Sequence, residues 1–253
     1  DMILSDLADQ DIPAEMILRS ERHQTGLVVG LVEPDGEKRW ISVRLGAADI
    51  HLTCEELLSF ELPKALFITG VVINEGVESR YAAVGYARKT RLAGGRVYLD
   101  PNIRVPDWQL PRPVVDAFGA VMPYVDVLLA NEKELVMLGE SEDADEAAEA
   151  LLRRGASCVW VKLGGKGCRC VSPGRNLSFP PAPVRTLDTS GAGDAFNAAV
   201  IYSELMEFDI GQTGRFANLF AGYVVERYGT TAALPTDEEI CKMLRQAGKP
   251  SRI

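Results

Sequence analysis

Short apolar runs alternate with longer helix-like segments through most of this sequence, and this alternation constrains the fold more than any other feature. Strand-like runs lie at 65–70, 96–100, 125–130 and 157–163, and helical segments at 79–92, 114–122 and 142–154. Strands separated by helices of roughly 10–15 residues favour a parallel sheet covered by helices. We therefore predict an α/β fold in which ligands bind where the strands end.

The two ends of the chain extend this pattern. A helix is predicted over Asp1–Arg19, followed by a β-hairpin at 25–43 with its turn at 33–37. Later helices are predicted at 209–227, with a break near Gly211, and at 238–247. Because no repeat or low-complexity linker interrupts the chain, we expect one domain, 1–253, with the hairpin as an appendage.

Charge and cysteine content narrow the possible partners and compartment. The formal net charge of -9 argues against nucleic acid or an anionic membrane as the main partner. No apolar run approaches the length of a membrane span, and no signal-peptide pattern is seen at the start. The five cysteines are scattered and complete no zinc pattern, so we expect reduced thiols in a cytoplasmic protein.

A glycine-rich turn near the C-terminal third combines two chemical features. Gly191, Ala192 and Gly193 stand directly before Asp194, and a helical apolar run, 195–202, follows. Free amides and the helix dipole at such a turn favour an anion, most often phosphate, and the carboxylate could accept a proton. In the alternative interpretation, a side chain just before the turn caps an ordinary helix.

Two further polar motifs each follow a predicted strand. The motif at 100–104 ends in Arg104, whose planar fork suits a phosphate or carboxylate, although a simple proline turn fits equally well. The motif at 131–134 contains Asn131 and Glu134, and oxygen ligands of this kind suit magnesium. A capped helix N-terminus explains the same residues.

A glycine-containing loop, 162–167, follows another predicted strand. By itself the loop is a weak signal, because glycine turns are common. It lacks the Gly-x-x-x-x-Gly-Lys-Ser/Thr spacing of a Walker A loop. A dinucleotide-binding Gly-x-Gly-x-x-Gly opening a helix is also missing from the sequence.

Taken together, the motifs resemble those of the ribokinase-like (PfkB) carbohydrate kinases. The stretch 188–196 is similar to that family's C-terminal signature, and four motifs in the family's order cover roughly 25–235. The resemblance implies a three-layer α/β/α sandwich with a mostly parallel central sheet and a small β lid formed by 25–43. It also implies that Asp194 is the catalytic base and that the backbone of Gly191, Ala192 and Gly193 is the anion hole.

The same resemblance implies roles for the other motifs. Asn102 and Arg104 would bind substrate or phosphate, as in fructokinases and 2-keto-3-deoxygluconate kinases, and Trp108 fits those branches. Magnesium would be held by Glu134 through water, and a monovalent cation such as K⁺ by Asp188 and Ser190. The implied nucleotide-binding residues are Asn131, Lys162, Gly164, Gly167 and Asn218. For Asn218, a structural role in a helix is an equally good explanation.

The activity implied is ATP-dependent phosphorylation of a hydroxyl, with a primary hydroxyl favoured, on a sugar or sugar acid. A nucleoside kinase of the same fold is one alternative. A catalytically silent nucleotide-binding protein without the sugar-binding segment is another.

Family members typically carry a longer N-terminal part with a substrate-binding aspartate, which this sequence does not contain. We expect the chain to be a fragment or truncated there, so substrate choice is its least readable property. In relatives the lid hairpin often pairs between subunits, and an isolated hairpin is only marginally stable in water. We therefore expect a homodimer.

Overall fold

The computed structural model describes residues 2–32, 38–105 and 109–249. The predicted hairpin turn at 33–37 and Trp108 lie outside these ranges.

A six-stranded sheet forms the centre of the described structure. Its strands are adjacent in chain order. The first four are parallel, the fifth is antiparallel to the fourth, and the sixth is antiparallel to the fifth. They are β3 Ala65–Thr69, β4 Arg96–Asp100, β5 Val127–Asn131, β6 Cys158–Lys162, β7 Cys168–Ser172 and β8 Arg175–Phe179. A separate antiparallel pair consists of β1 Leu27–Val32 and β2 Lys38–Val43. The mostly parallel α/β sheet and the hairpin predicted from the sequence are thus confirmed.

Helices flank the sheet on both faces. The described helices are α1 Met2–Ala8, α2 Cys54–Leu57, α3 Val71–Asn74, α4 Val77–Leu92, α5 Arg112–Val121, α6 Glu132–Gly139, α7 Ala144–Arg153, α8 Ala192–Leu205, α9 Ile210–Val225 and α10 Asp237–Gln246. Of these, α1 buries no residue and is not part of the layers on the sheet. No helix within the described ranges is both long and apolar enough to cross a bilayer.

Strand periodicity divides the core into two layers. Val97 and Leu99 of β4 belong to the buried cluster that also contains residues of α4, α5, α6 and α7. Tyr98, between them, belongs to a second cluster with Phe196 of α8 and Phe216 of α9. Because successive strand residues point to opposite faces, one strand supplies both layers. With the sheet between two sets of helices, the structure has three layers, α/β/α.

Some predicted boundaries were wrong. The helix expected over Asp1–Arg19 ends at Ala8, since it buries no residue of its own and Asp11 turns the chain at φ +54°. The expected break near Gly211 is instead the first turn of an unbroken helix. Asp209 caps that helix, and Gln212 closes the capping box.

Candidate active site

The turn that opens α8 has the geometry of an anion-binding helix start. Gly191 is the N-cap at φ +77° and ψ -4°, in the left-handed region that glycine adopts without a steric penalty. No side chain caps this helix, so the interpretation that Asp188 or Thr189 is its cap was wrong. The first amides of a helix have no acceptor within that helix and therefore favour an external anion, although here the Ala192 amide already donates to the Thr189 carbonyl at 3.3 Å.

Asp194 lies in the first turn of α8 and is exposed. Its carboxyl group is nevertheless partly desolvated and feels the charges of Asp100 and Lys162, which end two strands of the sheet. This partial desolvation, followed by the negative charge of Asp100, raises the pKa of Asp194. The positive charges of Lys162 and Arg104 act in the opposite direction. The result is an accessible carboxyl group set among other charged groups, as expected of a proton acceptor.

A cleft of about 460 Å³ extends from this turn. Ala192 and Gly193 line one side of it, and small or apolar residues line most of the rest. The lining residues that were predicted from the sequence are Lys162, Gly164, Gly167, Ala192, Gly193 and Asn218. Segments distant in sequence therefore meet at one cleft, and Asp194, which is not itself a lining residue, directly follows Gly193 in the chain.

Lys162 is the cation closest to the glycine turn among the described contacts. A Cβ atom added to Gly193 would lie 3.9 Å from its Nζ atom. Nζ donates to Oδ2 of Asp100 at 2.8 Å and to Oδ1 of Asn197 at 3.4 Å. Nδ2 of Asn197 donates to the same Asp100 oxygen at 2.5 Å. The ammonium is thus held from two sides.

Asn131 and Glu134 form a capping box at the start of α6. Asn131 Oδ1 accepts the Glu134 amide at 3.0 Å, and Glu134 Oε2 accepts the Asn131 amide at 2.9 Å. Glu134 Oε1 accepts the Ile103 amide at 2.9 Å, and the residue is 3 % exposed. Burial raises the pKa of Glu134. The helix-capping interpretation is confirmed, while the magnesium role of Glu134 stays a prediction.

The loop after β4 orients Asn102 and Arg104. Asn102 has φ +40°, and its amide donates to Oδ1 of Asp100 at 3.0 Å. Its Oδ1 accepts from Nε of Arg104 at 2.9 Å, and its Nδ2 donates to Thr69 Oγ1 at 3.3 Å. Arg104 is exposed. The two predicted residues therefore contact each other beside Asp100, and their role in substrate binding stays a prediction.

Asp188 organises the loop before α8. Its Oδ1 accepts the Ser190 amide at 2.8 Å, and its Oδ2 accepts the Gly229 amide at 3.2 Å. The carboxylate therefore ties two loops together. A monovalent cation at Asp188 and Ser190 stays a prediction.

The glycine loop and Asn218 shape the far part of the cleft. Gly164 and Gly167 have φ +59° and +90°, and Leu163 and Gly167 close the loop through a 2.9 Å backbone hydrogen bond. Asn218 Nδ2 donates to the carbonyls of Phe179 at 3.2 Å and Pro180 at 2.7 Å. The side-chain amide of Asn218 thus holds the chain at 179–180 next to the cleft.

Two site residues were missed as functional candidates. Asp100 was considered only as the first residue of its motif, although it ends β4 and is 5 % exposed. Asn197 lies on α8 three residues after Asp194 and is buried. A polar side chain within the apolar run 195–202 was the signal that could have identified it.

Comparisons with known sequences identify the family to which the chain is similar. The model of the pfkB family carbohydrate kinases matches residues 1–237. A sugar kinase of uncharacterized function from Archaeoglobus fulgidus is 38 % identical over 115 residues, 46 % of each protein. Fructokinase-2 of Zea mays is 27 % identical over 244 residues, which cover 93 % of this chain and 73 % of the maize enzyme.

Solved structures share the fold. A fructokinase from Xylella fastidiosa with bound ATP has a TM-score of 0.86 at 21 % identity and covers 98 % of this chain and 82 % of its own. A protein provisionally named Ribokinase II from E. coli, in complex with ATP and Mg²⁺, has a TM-score of 0.85 at 22 % identity, covering 97 % and 79 %. The family match extends over the sheet, the glycine turn and α8, and we conclude that this chain belongs to the PfkB family of carbohydrate kinases.

Proposed function

We propose that this chain transfers the γ-phosphoryl group of ATP to a hydroxyl, with a primary one favoured, of a sugar or keto-sugar acid. One observation carries the proposal: Asp194 is accessible and directly follows Gly193, which lines the 460 Å³ cleft at the α8 turn. A proton acceptor and an anion site are thereby adjacent. Phosphoryl transfer to an alcohol needs both groups side by side.

Asp194 acts as the general base. It accepts the proton of the sugar hydroxyl as the oxygen attacks phosphorus, and an elevated pKa favours that transfer. The amides of the Gly191–Gly193 turn stabilise the charge that spreads over the transferred phosphoryl oxygens. Preorganised donors of this type lose little energy to rearrangement during the reaction.

The cleft fits a nucleoside triphosphate. Its lining includes Ala192, Gly193 and Lys162, which suit phosphate groups, and also Pro181, Ala182 and Gly222, which would give apolar walls for a base. Magnesium usually takes one or two carboxylates, phosphate oxygens and waters. Because both Glu134 oxygens accept backbone amides, Mg²⁺ would be held chiefly by the phosphates and water, with Glu134 behind that water. Bound there, it would neutralise phosphate charge.

Similarity to fructokinases makes fructose the first sugar to test. Asn102 and Arg104 would contact the acceptor sugar or its phosphate, since they project from the end of β4 beside Asp100. Asp188 and Ser190 would hold K⁺ beside the loop that leads into α8.

A screen of phosphoryl acceptors tests the proposal. We would incubate the protein with Mg-ATP and fructose, other hexoses, sugar acids or nucleosides, and measure ADP formation. Turnover on a sugar or sugar acid supports the proposal, and turnover on nucleosides alone supports a nucleoside kinase. ATP binding without turnover on any acceptor would overturn it in favour of a silent nucleotide-binding protein.

The acid limb of the pH–rate profile should lie at a higher pH than an ordinary aspartate would give. Only ionised Asp194 can accept the proton, so kcat/KM should fall as pH drops through its pKa. Because desolvation and Asp100 raise that pKa, the limb should lie above the usual aspartate value of about 3.9. Initial rates between acidic and neutral pH measure this. A profile flat down to that value would contradict the assignment.

We also propose a homodimer through the hairpin. Leu27 pairs with Val43 and Val29 with Ile41, so these four exposed side chains share one apolar face. Sedimentation velocity should show a dimer that Ile41→Glu converts toward monomer. The control Ser42→Glu adds the same charge to the opposite face and should leave the dimer intact. A monomeric parent protein would refute the proposal.

The five free thiols are consistent with a cytoplasmic location. None of the five cysteines, which all lie within the described residues, forms a disulfide, as is usual in reducing compartments. We therefore infer that the enzyme works in the cytoplasm.

A further inference from the structure

The cluster of Asp100, Lys162 and Asn197 connects three separate elements. Lys162 ends β6 and Asp100 ends β4, with β5 between them in the sheet. Neighbouring strands lie about 4.8 Å apart, so the lysine side chain crosses the end of β5 to reach its partner. Asn197 reaches the same carboxylate oxygen from α8.

These contacts leave one N–H group of the Lys162 ammonium available as a donor. A lysine ammonium has three N–H groups, and two of them are used by Asp100 and Asn197. The Lys162 side chain is 16 % exposed and lines the cleft together with Gly193. The third donor is therefore available to an anion bound at the glycine turn.

We propose that Asp100 and Asn197 are positioning residues, which hold the Lys162 ammonium beside the Gly191–Gly193 turn so that it donates to a nucleotide phosphate oxygen. This inference rests on the proposed function and deepens it. Asp100 and Asn197 would act through Lys162, and neither would touch the nucleotide. Lys162 itself becomes a direct phosphate ligand.

A buried ion pair that only fastens the strand ends would give the same contacts, so the test must measure coupling. We would compare Asp100→Asn in the parent protein and in a Lys162→Met background. If Asp100 acts through Lys162, the substitution should lower kcat about tenfold in the parent and less than about twofold in the second background. The same factor in both backgrounds would overturn the inference.

Opposite pH responses give a second readout. Removing the Asp100 charge should move the acid limb of kcat/KM to lower pH, because that charge raises the pKa of Asp194. Lys162→Met should move the limb to higher pH, since the ammonium lowers the same pKa. Arg104, the other charged group acting on Asp194, is unchanged in both variants. Shifts in the same direction would contradict the placement of both charges beside Asp194, on which the inference depends.

Asp126 offers a matched control at the amino end of β5. It too is a buried carboxylate, and it accepts the Val97 amide at 2.9 Å and pairs with Arg91 at 3.2 Å. Asp126→Asn should lower the melting temperature but leave kcat and the acid limb unchanged. Effects on kcat as large as those of Asp100→Asn would assign Asp100 a structural role only.

Binding of a non-hydrolysable ATP analogue, AMPPNP, decides the question without a sugar. Calorimetry should show Lys162→Met weakening AMPPNP about tenfold, with Lys162→Arg restoring part of the affinity. Asn197→Ala, which removes no charge, should weaken AMPPNP binding in the parent protein but have no effect in the Lys162→Met background. Equal effects in both backgrounds would overturn the inference. A parent that binds AMPPNP but phosphorylates no sugar refutes only the proposed function, and one that binds no AMPPNP refutes both.

Discussion

Asp194→Asn should lower turnover by about 10²–10⁴-fold, the usual contribution of general base catalysis. Asparagine has nearly the same shape as aspartate, but its amide cannot accept the proton of an attacking hydroxyl. The substitution leaves the Gly191–Gly193 turn and the cleft in place, so ATP binding should change little. Steady-state kinetics with a sugar found in the acceptor screen, together with calorimetry of ATP binding, measure both quantities.

Asp209→Asn is the matched control for that experiment. Asp209 also stands at a helix start, where its Oδ1 accepts the Gln212 amide at 2.7 Å at the N-cap of α9. Its substitution should cost roughly 1 kcal/mol or less of stability without affecting turnover. If Asp194→Asn keeps full turnover with an unchanged melting temperature, Asp194 is not the base.

Gly167→Ala should destabilise the protein by about 3 kcal/mol or more and weaken ATP binding. Gly167 has φ +90° and ψ -135°, near a region that only glycine adopts at low cost, where strain alone is about 1–3 kcal/mol. A Cβ atom there would also lie 2.1 Å from the Phe179 carbonyl oxygen. The glycine loop or β8 must therefore move. The loop lines the cleft, and so does the segment beginning at Pro181 that follows β8. Urea denaturation measures the stability change.

Gly164→Ala separates backbone strain from the clash. Gly164 lies in the same loop at φ +59°, but a Cβ atom added to it meets nothing within 4 Å. This variant should lose only the left-handed strain, roughly 1–2 kcal/mol. Similar losses for the two variants would show that contact with Phe179 is not the main cost.

Much of the fold was predictable because it depends on local patterns. Alternating apolar runs predicted β3 to β6, and the small residues before Asp194 predicted the start of α8. Segment α1 was overpredicted because its spacing is helical, yet it has no partner layer on which to bury a face. Helix spacing alone cannot reveal that missing contact.

The sequence predicted individual site residues, but it did not predict how they contact one another. Motifs at strand ends identified Lys162, Asn102 and Asp194 separately. The contact of Lys162 with Asp100 depends on β5 lying between their strands, and that of Asn197 depends on how α8 packs on the sheet. The capping role of Glu134 hides the side chain that a magnesium ligand would expose. Such properties require tertiary structure.

The order of the six-stranded sheet has a consequence for biosynthesis. Each strand from β4 to β8 pairs with the strand made just before it, so the sheet can grow in step with translation. Helix α8 leaves the ribosome only after β8. Asp194 therefore emerges only after all six strands of this sheet have been made, and it joins a sheet that is already available for α8 to pack against.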